Sequence, residues 1–331
     1  MLTGLRCFHI RIGDRSPFML SILSITGPIY LAILAGFLSV RAGLFRASDM
    51  RLLGSFVLYV ALPALLFSAL STKPFGEIIR PGYMTAYLTG SLIMVTLGYT
   101  FSRLVRGQGA AGAGMSAMGM SCPNSGFVGY PLGVLIYPDF AGVVLALNML
   151  VENAIIIPLL LALASQQKDG SPVTAFLVAA GRLVRNPLVI ALVLGLVVSL
   201  LPFELPSVLT RTIGLFAGAA APVSLFVIGG TLAGLAIGGV WKDAVPVVTG
   251  KLLIHPLAIL AGVSIVAASG LLPLTDLEIK ALIITGALPI FGIYTILAQA
   301  HGQEELSAVA LTGTTVFSFV TLSVLLWYLG F

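Results

Sequence analysis

The chain has 331 residues, 58% of them hydrophobic and only 9% charged, and its mean hydropathy is +1.10. An ordinary soluble domain carries roughly 25% charged residues, so this composition excludes a water-soluble fold. Two cysteines, Cys7 and Cys122, and three histidines exclude a disulfide framework or a Cys/His-rich metal cluster, and the scattered net charge of +5 excludes a nucleic-acid footprint.

Arg6, Arg11 and Arg15 precede the first apolar run, which is too long for a signal-peptide core and has no small-residue cleavage site. It reads as a first span. Met19 stands directly before it, which marks residues 1–18 as a doubtful N-terminal extension. Stretches long enough to cross a hydrocarbon core of about 30 Å then recur near 18–40, 50–71, 83–105, 110–137, 141–164, 187–201, 207–233, 245–269, 279–300 and 305–330. The expectation is an all-α polytopic membrane protein of ten transmembrane helices. The sixth span is short, and residues 172–185 ahead of it are expected to lie along the interface. Residues 165–171 are the longest polar stretch, so no linker divides two soluble domains. Phe18 and Trp327 read as interface anchors.

Lys and Arg near the span ends set the orientation. With alternating loops, one side collects Arg41, Arg46, Arg51, Arg103, Arg106, Lys168, Arg182, Arg185 and Lys242. The other holds Lys73, Arg80, Arg211 and Lys280, plus the three arginines of the leader. The first side faces the cytoplasm, both termini face the periplasm, and the chain is expected in a bacterial inner membrane.

An internal repeat overlies this pattern. Pro28, Gly36, Pro63, Leu66 and Phe67 each find the same residue type 159 positions later, at Pro187, Gly195, Pro222, Leu225 and Phe226. Pro123 and Gly126 match Pro289 and Gly292 at an offset of 166. The three ordered proline pairs carry most of the weight. Five spans followed by five give halves of opposite orientation, 19–165 and 166–331, which is the inverted-repeat plan of secondary transporters.

The fourth span contains Ser121-Cys122-Pro123-Asn124-Ser125-Gly126-Phe127-Val128-Gly129-Tyr130-Pro131. Prolines remove backbone donors and clash with the preceding turn, so this run breaks the helix. In lipid the freed backbone groups are tolerated only where they face protein or a cavity. The ninth span breaks once, around Leu288-Pro289-Ile290-Phe291-Gly292. Broken helices at matching places in two halves point to a midplane site, and half-helix N-termini there suit an anion. The expected function is therefore a secondary transporter of small organic anions such as carboxylates, with Asn124 meeting the substrate through its amide.

At this motif the sequence resembles the auxin efflux carrier family, which includes plant efflux carriers and bacterial malonate-transporter-like proteins. Residues 122–132 are similar to its crossover; Gly27-Pro28-Ile29, Lys251–Pro256, and Leu288-Pro289 followed by Tyr294 and Ala298 extend the likeness from about residue 20 to the end. The resemblance implies a fold related to bile-acid/sodium symporters, with a scaffold of spans 1, 2, 6 and 7. Spans 3–5 and 8–10 then form a transport domain that moves in elevator fashion, and a homodimer through the scaffold is compatible with that plan. Substrate is expected at Pro123, Asn124, Ser125, Gly126, Pro289, Ile290 and Tyr294. One departure stands out: Ile290, Phe291 and Ile293 occupy positions where many relatives are polar, which implies a more apolar cavity.

Ionisable groups inside spans are functional candidates because burial is costly. Glu152 and Asn153 read either as a hydrogen-bonded tie between helices or as a proton-coupling or substrate contact. Lys251 and His255 share a face of the eighth span. Lys251 either snorkels to the cytoplasmic surface or offsets an anion's charge, and His255 is either structural or a proton carrier. Thr295 joins Tyr294 as a cavity-lining candidate. No cofactor or metal is expected, and proton and sodium coupling both stay open. A passive channel or a substrate sensor on the same fold is the alternative function. An intramembrane enzyme is disfavoured, since Cys122 has no histidine near it in sequence and neither HExxH nor GxSxG occurs. The absence of a nucleotide-binding loop leaves ATP-driven transport to a separate subunit.

Overall fold

The computed structural model describes residues 16–165, 181, 185–201, 205–234 and 239–331, with side chains from residue 24 onward. The leader arginines, Cys7, the Phe18 side chain and most of 165–185 lie outside the described residues. Within them the protein is all-helical.

The helices run in chain order as α1 (Ser16–Arg41), α2 (Asp49–Ser71) and α3 (Pro81–Thr100, carried on to Val105 by a π turn). Next come α4 (Ala110–Ser121), α5 (Ser125–Ile136), α6 (Pro138–Ala164), α7 (Pro187–Leu200) and α8 (Ser207–Gly234). The chain closes with α9 (Trp241–Ser269), α10 (Asp276–Ala287), α11 (Tyr294–Gln299) and α12 (Glu304–Leu329). Seven of these, α1, α2, α3, α6, α8, α9 and α12, are long and apolar enough to cross a membrane. Helices α4 and α5 divide the fourth apolar run between them, and α10 and α11 divide the ninth.

Prolines shape the interior of the helices. Four π turns, Val57–Ala61, Ser125–Gly129, Glu152–Ile156 and Gly250–Ile254, each end two residues before a proline: Pro63, Pro131, Pro158 and Pro256. The proline ring crowds the carbonyl four residues back. Widening that turn by one residue makes room for the ring without breaking the rod. Starts and stops follow local chemistry. Asn186 caps α7 by accepting from the Leu188 N–H at 2.9 Å, Thr275 and Glu278 form a capping box on α10, and Gly270 ends α9 in the left-handed region.

Without a hydrophobic drive between helices in lipid, close backbone approach holds the bundle. A Cβ on Gly36 of α1 would strike the Phe226 carbonyl of α8, and one on Gly229 of α8 would strike the Ile33 carbonyl of α1. Gly195 of α7 likewise sits over Phe67 of α2, its Cβ position 3.2 Å from that carbonyl. Helices α3 and α9 are seated the same way, Gly90 on Ala258 and Ile259, Gly262 on Ala86. One apolar cluster joins α2, α7 and the middle of α8 through Leu62, Leu66, Leu188, Leu192 and Ala220. A larger one gathers α3, α4, α6, α9, α10 and α12 around Tyr83, Tyr87, Met118, Ile259 and Leu282. The exposed residues are apolar too: Leu31, Leu34 and Leu38 form an outward stripe on α1, as a lipid-facing surface requires.

Candidate functional site

The two helix breaks meet. Cys122 is extended at the end of α4 (φ −100°, ψ 111°) and Leu288 at the end of α10 (φ −61°, ψ 151°). There Pro123 and Ile290 pair as an antiparallel bridge, and the Asn124 N–H donates to the Pro289 carbonyl at 2.8 Å. Ile290 N–H donates to Thr314 Oγ1 of α12 at 3.3 Å. The backbone groups that the prolines free are thus taken up by each other and by α12, which is what a break at membrane depth demands.

Asn124 is 5% exposed. Its Oδ1 accepts from the Phe127 N–H at 3.1 Å and so caps α5; its Nδ2 makes no hydrogen bond to the described residues. Ser125 donates its hydroxyl to Glu152 Oε1 at 2.6 Å, and Tyr87 of α3 donates to the same oxygen at 2.7 Å. One turn away Tyr83 donates to Asn148 Oδ1 at 2.9 Å, and Asn148 Nδ2 to Thr285 Oγ1 of α10 at 3.2 Å. Both tyrosine contacts span 65 residues of sequence, so α3 and α6 run side by side in register. Two parallel rungs result, one reaching α5 and the other α10.

On the far flank Lys251 is fully buried. Its Nζ lies 2.9 Å from His255 Nδ1 and donates to the Gly286 carbonyl, at the end of α10, at 2.8 Å. The side chain therefore turns into the protein rather than snorkelling outward. His255 Nε2 and the Tyr294 hydroxyl are buried without hydrogen-bond partners among the described residues, and Gly119 leaves room for that tyrosine, its Cβ position being 2.9 Å from the oxygen. Gly126 faces Leu62 of α2. Asn153 parts from Glu152: it bonds the Met149 carbonyl and accepts from Asn186 at 3.2 Å, which ties α6 to the start of α7. Thr295 bonds the nearby Gly292 carbonyl.

Beside the break lies an enclosed space of about 10 Å³, lined by Ser125, Tyr137, Asn148, Thr285 and Leu288 among others, which is room for one water. A far larger cleft of about 590 Å³ opens where α3 ends and α9 and α12 begin, lined by Arg106, Gln108, Asp243, Gln299, Gln303 and Glu304. Arg106 grips both the carboxylate and the carbonyl of Asp243 there. Sequence reading missed Tyr83, Tyr87, Asn148, Thr285 and Thr314. The pairs Tyr83/Tyr87 and Asn148/Glu152, each four apart on one helical face, were the available signal.

Apolar spans enclosing two interrupted helices that meet backbone to backbone define a multi-pass membrane protein of the transporter class. The chain belongs to the auxin efflux carrier family, whose family model, described as membrane transport protein, matches residues 22–327. It is 28% identical over 314 residues to a Rhizobium meliloti protein named "Putative malonate transporter", covering 93% of this chain and 96% of that one. It is 30% identical over 222 residues to the "Uncharacterized transporter YfdV" of Escherichia coli K12, covering 62% of this chain and 67% of the relative. The protein of that name in Shigella flexneri matches to the same extent.

Proposed function

We propose that this protein is a secondary carrier of small organic anions, carboxylates in the first instance, and that they bind where the two breaks meet. The hydrogen bond between Asn124 N–H and the Pro289 carbonyl carries the reading, because it brings both broken helices to one point inside the bundle. Around that point stand the N-terminal turn of α5, the Asn124 Nδ2 group, and Pro123, Ser125, Gly126, Ile290 and Tyr294. A carboxylate needs more than the one-water space found there, so binding requires the helices around the break to part.

Reciprocal contacts support an inverted repeat of five plus five spans. Gly36 seats on Phe226 and Gly195 on Phe67; exchanging partners at the offset of 159 turns one contact into the other. Swapping Pro123 with Pro289 and Asn124 with Ile290 keeps the register of the crossover bridge, while the hydrogen bonds differ, Asn124 N–H going to Pro289 and Ile290 N–H to Thr314. Exchange of Gly90 with Gly262 and of Ala86 with Ala258 does the same for α3 and α9. In this reading α1, α2, α7 and α8 are the scaffold, the remaining helices are the transport domain, and elevator-like sliding of one against the other carries the site across. The relative named for malonate makes that dicarboxylate the first substrate to try.

The test is counterflow. Protein reconstituted with unlabelled malonate inside should accumulate labelled malonate transiently and saturably, as only an alternating site does. Equilibration without that overshoot would favour a channel, and a panel of mono- and dicarboxylates then ranks the substrates. Orientation is tested separately: a reporter active only after translocation should be active when fused after Phe331 and silent when inserted at Gly107. The opposite pattern would place both termini in the cytoplasm of the inner-membrane protein.

A further inference from the structure

Two buried ionisable side chains flank the crossover, one on each side, and substrate binding at Asn124 leaves both without a task. Glu152, on the π turn of α6, receives Ser125 and Tyr87 on Oε1, and its Oε2 makes no hydrogen bond to the described residues. Lys251, on the π turn of α9, donates to His255 Nδ1 and the Gly286 carbonyl, and no carboxylate among the described residues lies within ion-pair distance of it. Glu152 thus holds the neck of one broken helix, after its break, and Lys251 holds the other just before its break. Cys122, in the break itself, is within electrostatic reach of both. The other titratable groups facing Glu152 are Tyr83 and Tyr87 of α3. Those groups are hydroxyls and a thiol, so among the described residues Lys251 is the formal charge that Glu152 meets across the crossover.

Charge balance then limits which forms can move. An uncompensated charge inside a protein in lipid costs several kcal/mol, so a transport domain reorients readily only when its buried charges sum to about zero. Without substrate, Glu152 as carboxylate and Lys251 as ammonium cancel. A carboxylate bound at Asn124, next to Ser125, adds a negative charge and stands against ionised Glu152 at short range in a poor dielectric. A proton on Oε2 removes both problems, leaving neutral Glu152, the Lys251 ammonium and the bound carboxylate to balance.

We propose that Glu152 carries one proton with each transported carboxylate, Lys251 supplying the fixed positive charge, so that the protein is a proton–anion symporter. The inference rests on the carrier reading above. On the loading side a proton leaves water and forms the O–H bond at Oε2 as the anion binds; on the release side that bond breaks and the proton returns to water. No other bond is made or lost. Proton and anion each strengthen the other's binding, as linkage requires.

The experiment uses the full chain in liposomes holding a pH-sensitive dye, with malonate as probe. Counterflow at equal pH reports the carrier reading by itself. The charge balance admits malonate as singly charged hydrogen malonate, so net uptake from the dianion in water should bring in two protons per malonate, one on Glu152 and one on the substrate, and should be driven to accumulation by an inward proton gradient. In Glu152→Gln the ratio of gradient-driven accumulation to counterflow should fall at least tenfold. Wild-type counterflow with net uptake that moves one proton per malonate or none, so that Glu152 carries none, would overturn the proposal and leave the carrier standing. Should malonate show no counterflow, the carrier reading fails for that anion and infrared spectroscopy of the purified protein decides. A carboxylic-acid C=O stretch must then grow in on acidification of the wild type and be missing from Glu152→Gln; a wild type without that band, or a variant that keeps it, ends the proposal. Were the variant to fail to fold, the wild-type dye measurement decides alone.

Discussion

Gly229→Val should abolish recovery of folded protein from the membrane, and Gly229→Ala should lower its thermal stability severely. At this position the Cβ would overlap the Ile33 carbonyl of α1, and the atoms around it are also backbone, the Phe37 N among them. A flexible side chain could swing away; a helix backbone cannot. The two helices would have to separate along their whole contact, including the reciprocal seat of Gly36 on Phe226. Overpacking a core with side chains typically costs about 1–3 kcal/mol, and a clash of backbone on backbone should reach about 3 kcal/mol or more. Gly214 of the same helix is the control, because nothing lies within 4 Å of its Cβ position. Gly214→Ala should be neutral or stabilise by about 0.5–1 kcal/mol, the helix-interior gain over glycine. Melting of detergent-purified variants by fluorescence size-exclusion chromatography checks both, and equal behaviour of Gly229→Ala and Gly214→Ala would mean that α1 and α8 do not touch as described.

The second large effect is at Asn124, where two substitutions should each lower both binding and stability. Hydrogen bonds to a charged partner are worth about 1.5–3 kcal/mol. Loss of the Nδ2 donor in Asn124→Ala should therefore weaken malonate binding roughly 10- to 100-fold, each 1.4 kcal/mol being tenfold. Asn124→Asp loses the same donor and sets a negative charge against the anion, so it should bind worse still. Stability should fall in both. Alanine forfeits the Oδ1 cap on the Phe127 N–H at about 0.5–2 kcal/mol, and the aspartate keeps the cap but buries an unpaired charge, which costs more. Direct binding and thermal melting on the same three proteins give the comparison. Wild-type affinity in Asn124→Ala would move the site elsewhere, with Lys251 and His255 the next pair to test.

The sequence showed Asn124 as a polar residue at a broken helix but not that its side chain caps α5. A cap depends on which backbone N–H the side chain oxygen can reach after the break has taken its shape, and the one-dimensional pattern does not hold that geometry. Glu152 and Asn153 make the same point. Adjacent in sequence, they stood as one candidate; on the π turn of α6 they diverge, one to Ser125 and Tyr87, the other to Asn186. Lys251 stood between snorkelling and facing inward, and the packing of α10 across it turned the ammonium to the Gly286 carbonyl.

Composition and hydropathy alone determined that this chain lives in a membrane, because too few polar residues exist to hold it in water. The apolar runs set where the helices lie, and prolines set where they break or widen, since a missing N–H and a fixed φ act on the chain wherever it goes. The proline pairs also marked the fourth and ninth runs as counterparts. Only the tertiary structure decided that the two breaks hydrogen-bond to each other, that Gly36 and Gly229 let α1 and α8 meet backbone to backbone, and that Tyr83 and Tyr87 stand opposite Asn148 and Glu152. Those contacts join residues 65 or more positions apart, and what selects them is the need to satisfy every buried polar group where no water is at hand.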